Sequence, residues 1–196
     1  MRLVARMRRC LGAQGGYTLV EMLTVLLILG VVMASLTTVL ASATNADADM
    51  NNRFQAQQAT RLALDKLRRE VHCSSAATPT GTTTSSITLT LPTYCKTYSG
   101  STSVTWCTQS VSTIRYALYR VNGPTCTGGV KWADFLAPTS TAAVCSGALC
   151  VFNYTAQSTS SLAKLHVDFP VNPKPGRTVD VYELVDDLVL RNSSRS

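Results

Sequence analysis

Residues 19–40 are nearly all apolar, and the pattern changes sharply on either side of that run. Ahead of it stand Arg2, Arg6, Arg8 and Arg9 with no acidic residue. Within it Glu21 is the one charge, and Thr24, Gly30, Ser35, Thr37 and Thr38 are the small or hydroxyl interruptions. A helix needs about 20 consecutive apolar residues to cross the hydrocarbon core of a bilayer, so the run predicts one transmembrane segment. The arginines on its N-terminal side hold that end in the cytoplasm. Residues from about 41 onward are expected outside.

No proline lies between Tyr17 and Ala77, so nothing forces a break and the spacing predicts one helix over residues 17–75. At 1.5 Å per residue it is about 90 Å long. Its outer half is expected to carry an apolar stripe of Met50, Phe54, Leu64, Leu67 and Val71 that buries against a sheet. Arg61 with Asp65, Asp65 with Arg69 and Lys66 with Glu70 are expected as exposed pairs on the solvated side. A Ser/Thr/Pro/Gly-rich loop follows over 76–86. Beyond it β-branched and aromatic residues with partial alternation predict strands at 87–91, 104–107, 111–121, 150–154, 165–169 and 179–190. The fold class is therefore α+β, a long N-terminal helix packed on a C-terminal antiparallel sheet domain over residues 76–196.

Charge adds little to this picture. The chain of 196 residues has 18 basic and 11 acidic side chains, but four of the arginines precede residue 16. Without them 14 basic face 11 acidic residues, a net of +3. There is no dense Lys/Arg patch of the kind a nucleic-acid surface needs.

Cysteine arithmetic adds more. Cys10 belongs to the basic leader, and the even set Cys73, Cys95, Cys107, Cys126, Cys145 and Cys150 remains. In an exported domain such a set reads as up to three disulfides, with 15 possible connectivities. A zinc site is disfavoured by irregular spacing and by the lack of a Cys-x-x-Cys pair. No metal and no cofactor is expected.

Glu21 is the anomaly, because an ionisable group at the edge of a membrane segment is costly and usually has a partner or a task. Two plain alternatives exist. Glu21 can sit at headgroup depth, or the run can be a secretory signal cut after Ala41-Ser42-Ala43. The apolar run is longer than the 7 to 15 residues usual for a secretory core, and it carries a charge at its start.

Residues 8–40, with Arg8-Arg9-Cys10-Leu11-Gly12-Ala13-Gln14-Gly15-Gly16 followed by Tyr17-Thr18-Leu19-Val20-Glu21-Met22-Leu23, resemble the class III leader of type IV pilins and type II secretion pseudopilins. Tyr17 stands where phenylalanine is commoner in that family. The resemblance implies a leader of residues 1–16, cleavage by a prepilin peptidase between Gly16 and Tyr17, and N-methylation of Tyr17. It also implies that Glu21 approaches the Tyr17 amine of a neighbouring subunit, which makes it an assembly residue. The physics agrees, since a charge pair loses far less on desolvation than either charge alone. The stretch 61–71 and the C-terminal stretch 188–192 more resemble a minor pilin, or a pseudopilin of the J or W type, than a major subunit.

Catalytic constellations are absent from the sequence pattern. His72 and His166 lie in no nucleophile or zinc motif, no serine occupies a Gly-x-Ser-x-Gly elbow, and Gly128-Gly129-Val130-Lys131 lacks phosphate-loop spacing. Asp186 and Asp187 offer oxygen ligands for calcium, yet lack a full ligand pattern and read better as a solvated turn between two strands. The hydroxyl-rich stretches 78–86 and 97–105 suit either sugar attachment or exposed loops.

The expected function is structural, a minor pilin or pseudopilin that joins or initiates a type IV pilus or a type II secretion filament. Its expected partners are other pilins or pseudopilins, the prepilin peptidase, a membrane assembly platform and membrane lipid. The alternative is a pilus-associated binding protein, an adhesin or a DNA-uptake subunit, although no residue pattern supports a DNA or surface ligand. A tethered enzyme lacks any constellation of its own.

Overall fold

A computed structural model describes residues 16–95, 100–174, 177 and 181–192. The expected leader, apart from Gly16, lies outside the described residues, as do parts of the stretches 97–105 and 179–190. Helix α1 spans Leu19–Cys73, 55 residues without interruption. The chain divides into two compact units, residues 1–49 and residues 50–196.

The first unit is described from Gly16 as the N-terminal part of α1, whose apolar side chains through Leu40 are exposed. The helix is long and apolar enough to cross a membrane. Its hydroxyl interruptions do not spoil that property. Thr24, Ser35, Thr37, Thr38, Ser42 and Thr44 each donate to the backbone carbonyl three residues earlier, at 2.8 to 3.0 Å. A hydroxyl already bonded inside its own helix has no unmet donor to carry into lipid.

In the second unit the remainder of α1 lies on a sheet. Among the described residues nine strands form it, all paired antiparallel, in the order β1-β3-β4-β5-β6-β10-β9-β2, with β11 on the other edge of β10. They are β1 Ala76–Thr78, β2 Thr83–Thr84, β3 Ser86–Thr90, β4 Ser103–Ser112, β5 Arg115–Asn122, β6 Val130–Leu136, β9 Phe152–Thr155, β10 Lys164–Val171 and β11 Tyr182–Val189. A separate small hairpin joins β7 Val144–Cys145 to β8 Ala148–Leu149.

The helix face that meets the sheet is Ala56, Thr60, Ala63, Leu64, Leu67, Glu70 and Val71. Leu64, Leu67 and Val71 are buried as expected, but Met50 and Phe54 are 72% and 57% exposed. Helical phase explains the correction. At 3.6 residues per turn Phe54 falls about 140° around the helix from Leu67, whereas Ala56, Thr60 and Ala63 fall in register with it. Small side chains let the helix lie close to the sheet. Thr60 meets its burial by donating to the Ala56 carbonyl at 2.9 Å.

The core between them holds Ile87, Leu89, Trp106, Leu118, Leu136, Leu165, Val167 and Phe169. Phe152 and Phe169 meet edge to face with ring centroids 5.9 Å apart, a favoured aromatic geometry. The end of the helix is closed from elsewhere in the chain. Ser74 Oγ donates to the Val71 carbonyl at 2.8 Å and Asn192 Nδ2 to the Cys73 carbonyl at 3.1 Å, so carbonyls left open by the last turn are satisfied.

Several strand expectations need revision. Residues 111–121 are not one strand; β4 and β5 form a hairpin that turns at Thr113-Ile114, with Ser112 paired to Arg115. The expected loop 76–86 contains β1 and β2, and β6 and the β7–β8 hairpin were not anticipated. Asp186 and Asp187 lie inside β11 and not in a turn. They are tolerated there because each has a cation: Asp186 receives Arg68 at 2.7 Å and Asp187 receives Lys164 at 3.1 Å, with a further hydrogen bond between Asp187 and the His166 ring at 2.7 Å. The His166 and Lys164 bonds hold the Asp187 carboxyl below its ordinary value. Charges along β11 also discourage edge-to-edge pairing with another sheet.

Candidate functional site

Thr18 opens helix α1. Its carbonyl accepts from the N–H groups of Glu21 and Met22 at 3.0 and 3.2 Å, and its hydroxyl accepts from the Glu21 N–H at 3.3 Å. That is an N-cap, and with an acidic residue three positions on it has the spacing of a capping box. The signal Thr18-x-x-Glu21 was present in the sequence but its local role was not read. Glu21 thus stands in the first turn, where the unsatisfied N–H groups of the helix favour negative charge.

Around this turn the surface is open. Tyr17 is 75% exposed, and a Cβ built on Gly16 would meet nothing within 4 Å. From Leu19 to Leu40 the helix exposes its apolar side chains, interrupted by Glu21 and by small or hydroxyl residues, so the site consists of a polar start, one carboxylate and a sheath of mostly aliphatic side chains. An exposed apolar surface of this extent marks a contact with membrane or protein.

The six expected cysteines are brought together in pairs: Cys73 with Cys95, Cys107 with Cys126, and Cys145 with Cys150. The first ties the end of α1 to the loop after β3. The second ties β4 to the loop between β5 and β6, and the third closes the β7–β8 hairpin. Each bridge restricts a segment that carries little core of its own.

One constellation was missed. Glu70 was expected as half of an exposed pair with Lys66, but its side chain is fully buried. Trp106 Nε1 donates to Glu70 Oε2 at 2.7 Å and Arg120 Nε to Glu70 Oε1 at 2.8 Å, with Lys66 Nζ 3.3 Å from Oε1. Asp65 pairs with Arg68 at 3.4 Å, and Arg61 donates to the Tyr182 hydroxyl at 3.1 Å. A buried carboxylate costs too much unless paired and hydrogen-bonded, and this one is. The cluster fixes the helix on the sheet.

A second ion cluster stabilises β6. Arg115 grips Asp134 through Nε at 2.9 Å and Nη2 at 2.7 Å, Lys131 adds a bond at 2.8 Å, and the Phe135 N–H adds another at 2.7 Å. Burial pushes the Asp134 carboxyl up, but these donors together outweigh it and hold the group at about 2. Phe135 has φ of 63°, a strained region for a large side chain. The Asp134 clamp and the Arg115 guanidinium, 4.0 Å from the Phe135 ring centroid, hold it there.

The two histidines are structural in form. His72 Nδ1 meets the Val189 carbonyl at 2.8 Å, and His166 meets Asp187. Among the described residues no cluster of three or more His, Cys, Asp or Glu side chains is arranged to hold a metal.

Comparison with known families finds a match at the head of the chain. The prokaryotic N-terminal methylation motif covers residues 11–37, which include Gly16, Tyr17, Glu21 and most of the apolar run. No curated protein matches the chain, and no solved structure does.

Proposed function

Because the chain carries the N-terminal methylation motif of the type IV pilin and pseudopilin family, we propose that it is a minor pilin or pseudopilin that enters or initiates a filament after cleavage between Gly16 and Tyr17. Residues 1–16 are the leader removed by the prepilin peptidase, and Tyr17 becomes the methylated N-terminus. The segment 17–75 carries helix α1, Leu19–Cys73, with 19–40 in the membrane. Residues 76–196 are the extracytoplasmic head.

What supports the reading is the motif at the head of an uninterrupted, outward-facing apolar helix. Before assembly such a surface belongs in lipid. Within a filament, the same surface packs against the helices of neighbouring subunits. Glu21 then has a role in each setting: at the helix start it lies near the headgroups, and in the filament it receives the Tyr17 amine of a neighbour. The basic leader keeps the N-terminus cytoplasmic, where the peptidase and assembly platform meet it. The work of such a subunit is structural and not catalytic.

The test is Glu21→Ala in cells. Insertion and cleavage stay intact, because the substitution only lengthens the apolar run and leaves the Gly16 junction alone. The ratio of this protein in sheared filaments to that in membranes falls by about tenfold or more, since a neighbour's charged amine loses its buried partner. An unchanged ratio overturns the role given to Glu21.

A further inference from the structure

A pocket of about 240 Å³ opens on the face of the β2–β9–β10 sheet segment away from helix α1, lined by Thr83, Thr141, Asn153, His166 and Asp168 with Cys150 of the disulfide beside them. Its floor follows from register. Thr83 pairs with Asn153 and Asn153 with His166 across neighbouring strands, and Asp168 lies two residues along the same face of β10. Leu165, Val167 and Phe169 take the alternate face into the core.

Asp168 is the unexplained group. It is more than nine-tenths buried, and its Oδ1 has no hydrogen-bond partner. A buried carboxylate oxygen left unpaired is costly. The remaining groups offer it little. Asn153 Nδ2 donates one hydrogen to the Thr83 hydroxyl at 3.4 Å and its carbonyl oxygen remains an acceptor, and the Thr141 hydroxyl is engaged with Thr139 at 3.0 Å. His166 Nδ1 faces the Asp187 carboxylate at 2.7 Å. A neutral imidazole donating there has only a lone pair left on Nε2.

The pocket therefore presents one carboxylate together with hydroxyl, amide and imidazole groups that can accept, beside the apolar Val151 and Phe152, and among the described residues no lysine or arginine lines it. A calcium ion takes about six to eight oxygen ligands, and among the described residues no group of three or more His, Cys, Asp or Glu side chains is arranged to hold a metal. A primary ammonium, with three N–H donors, one positive charge and no acceptor, matches what is offered. The Asp168 carboxylate can turn its oxygens toward such a group, because rotation about χ2 of Asp is broad.

We propose that this pocket binds a primary ammonium group through Asp168, with the Asn153 carbonyl and His166 as further acceptors. The ammonium belongs either to a free small amine or to a lysine side chain of another protein. The proposal is independent of the filament role.

The test is titration of the full chain in a zwitterionic detergent, followed by backbone amide NMR at Thr83, Asn153 and His166. n-Butylammonium shifts these signals saturably in the millimolar range, and uncharged n-butanol binds about tenfold more weakly or worse. Nα-acetyl-lysine methylamide is the second probe: binding as tight as butylammonium identifies a protein lysine as the source, and binding of butylammonium alone identifies a free amine. Asp168→Asn weakens butylammonium by about tenfold while the spectrum elsewhere is unchanged. No saturable shift with either amine in the wild type overturns the proposal. So does equal binding of butanol, a result that needs no variant to fold.

Discussion

Trp106 donates its indole N–H to Glu70 at 2.7 Å and so joins the middle of strand β4 to the last turn of helix α1. Arg120, which reaches the other oxygen of the same carboxylate, sits directly across from Trp106 on β5. Residues opposite one another on adjacent strands point to the same face, so the sheet aims two donors at one point. The helix supplies the acceptor at that point.

Removing the acceptor strands both donors. Glu70→Ala is expected to destabilise the second unit by about 3 to 5 kcal/mol, read by denaturation of the detergent-solubilised chain through tryptophan fluorescence. Replacing Glu70 and Arg120 together by leucine costs less, since both buried charges go together and Lys66 can turn to solvent. Equal losses in the two variants would show that packing and not the charge pair fixes the helix.

Acid acts elsewhere. Asp134 is lowered from the ordinary 3.8 to about 2, so its contribution to stability is present above pH 3.8 and is lost as pH falls through about 2. The stability gap between wild type and Asp134→Asn is therefore constant near neutrality and closes between about pH 4 and pH 2. A gap that stays constant down to pH 2 contradicts the assignment.

Gly129 has φ of 99°, and a Cβ there would lie 2.6 Å from the Arg120 carbonyl oxygen and 2.7 Å from Val121 Cγ2. Gly129→Ala should cost at least about 1 to 3 kcal/mol from the backbone alone. Gly128→Ala meets a similar φ but open space. Thermal melts of the two variants should differ, with Gly129→Ala melting lower.

The Cys107–Cys126 bridge closes a loop with a sequence separation of 19. Cross-links of that span stabilise by about 3 kcal/mol, by constraining the unfolded chain. The double serine variant should show that loss in denaturant, and a variant as stable as wild type rules it out.

How much of this was legible in the sequence depended on whether the signal was local. The apolar run, the uninterrupted helix and the α+β class follow from composition and period, which residues 19–40 and the β-branched stretches display openly. The phase of the helix face was misread at Phe54, because Ala56, Thr60 and Ala63 bury through small size and leave no hydrophobic mark. The hairpin at Thr113-Ile114 lacks glycine, proline, asparagine or aspartate, so nothing announced a turn. Glu70 looked like a surface charge since its partners stand 36 and 50 residues away. The candidate site was legible at Gly16, Tyr17 and Glu21 as a motif, whereas Asp168 became visible only once strand pairing set it beside Asn153 and Thr83.

The central claim is that the chain is processed and assembled as a pilin-type subunit, and the N-terminus of the protein recovered from membranes tests it most directly. Intact mass and peptide sequencing by mass spectrometry should find a chain that starts at Tyr17 with one methyl group on its amine. In a strain lacking the prepilin peptidase the leader should remain attached. A mature chain starting at Thr44, or one that keeps residues 1–16 in the presence of an active peptidase, would contradict the account.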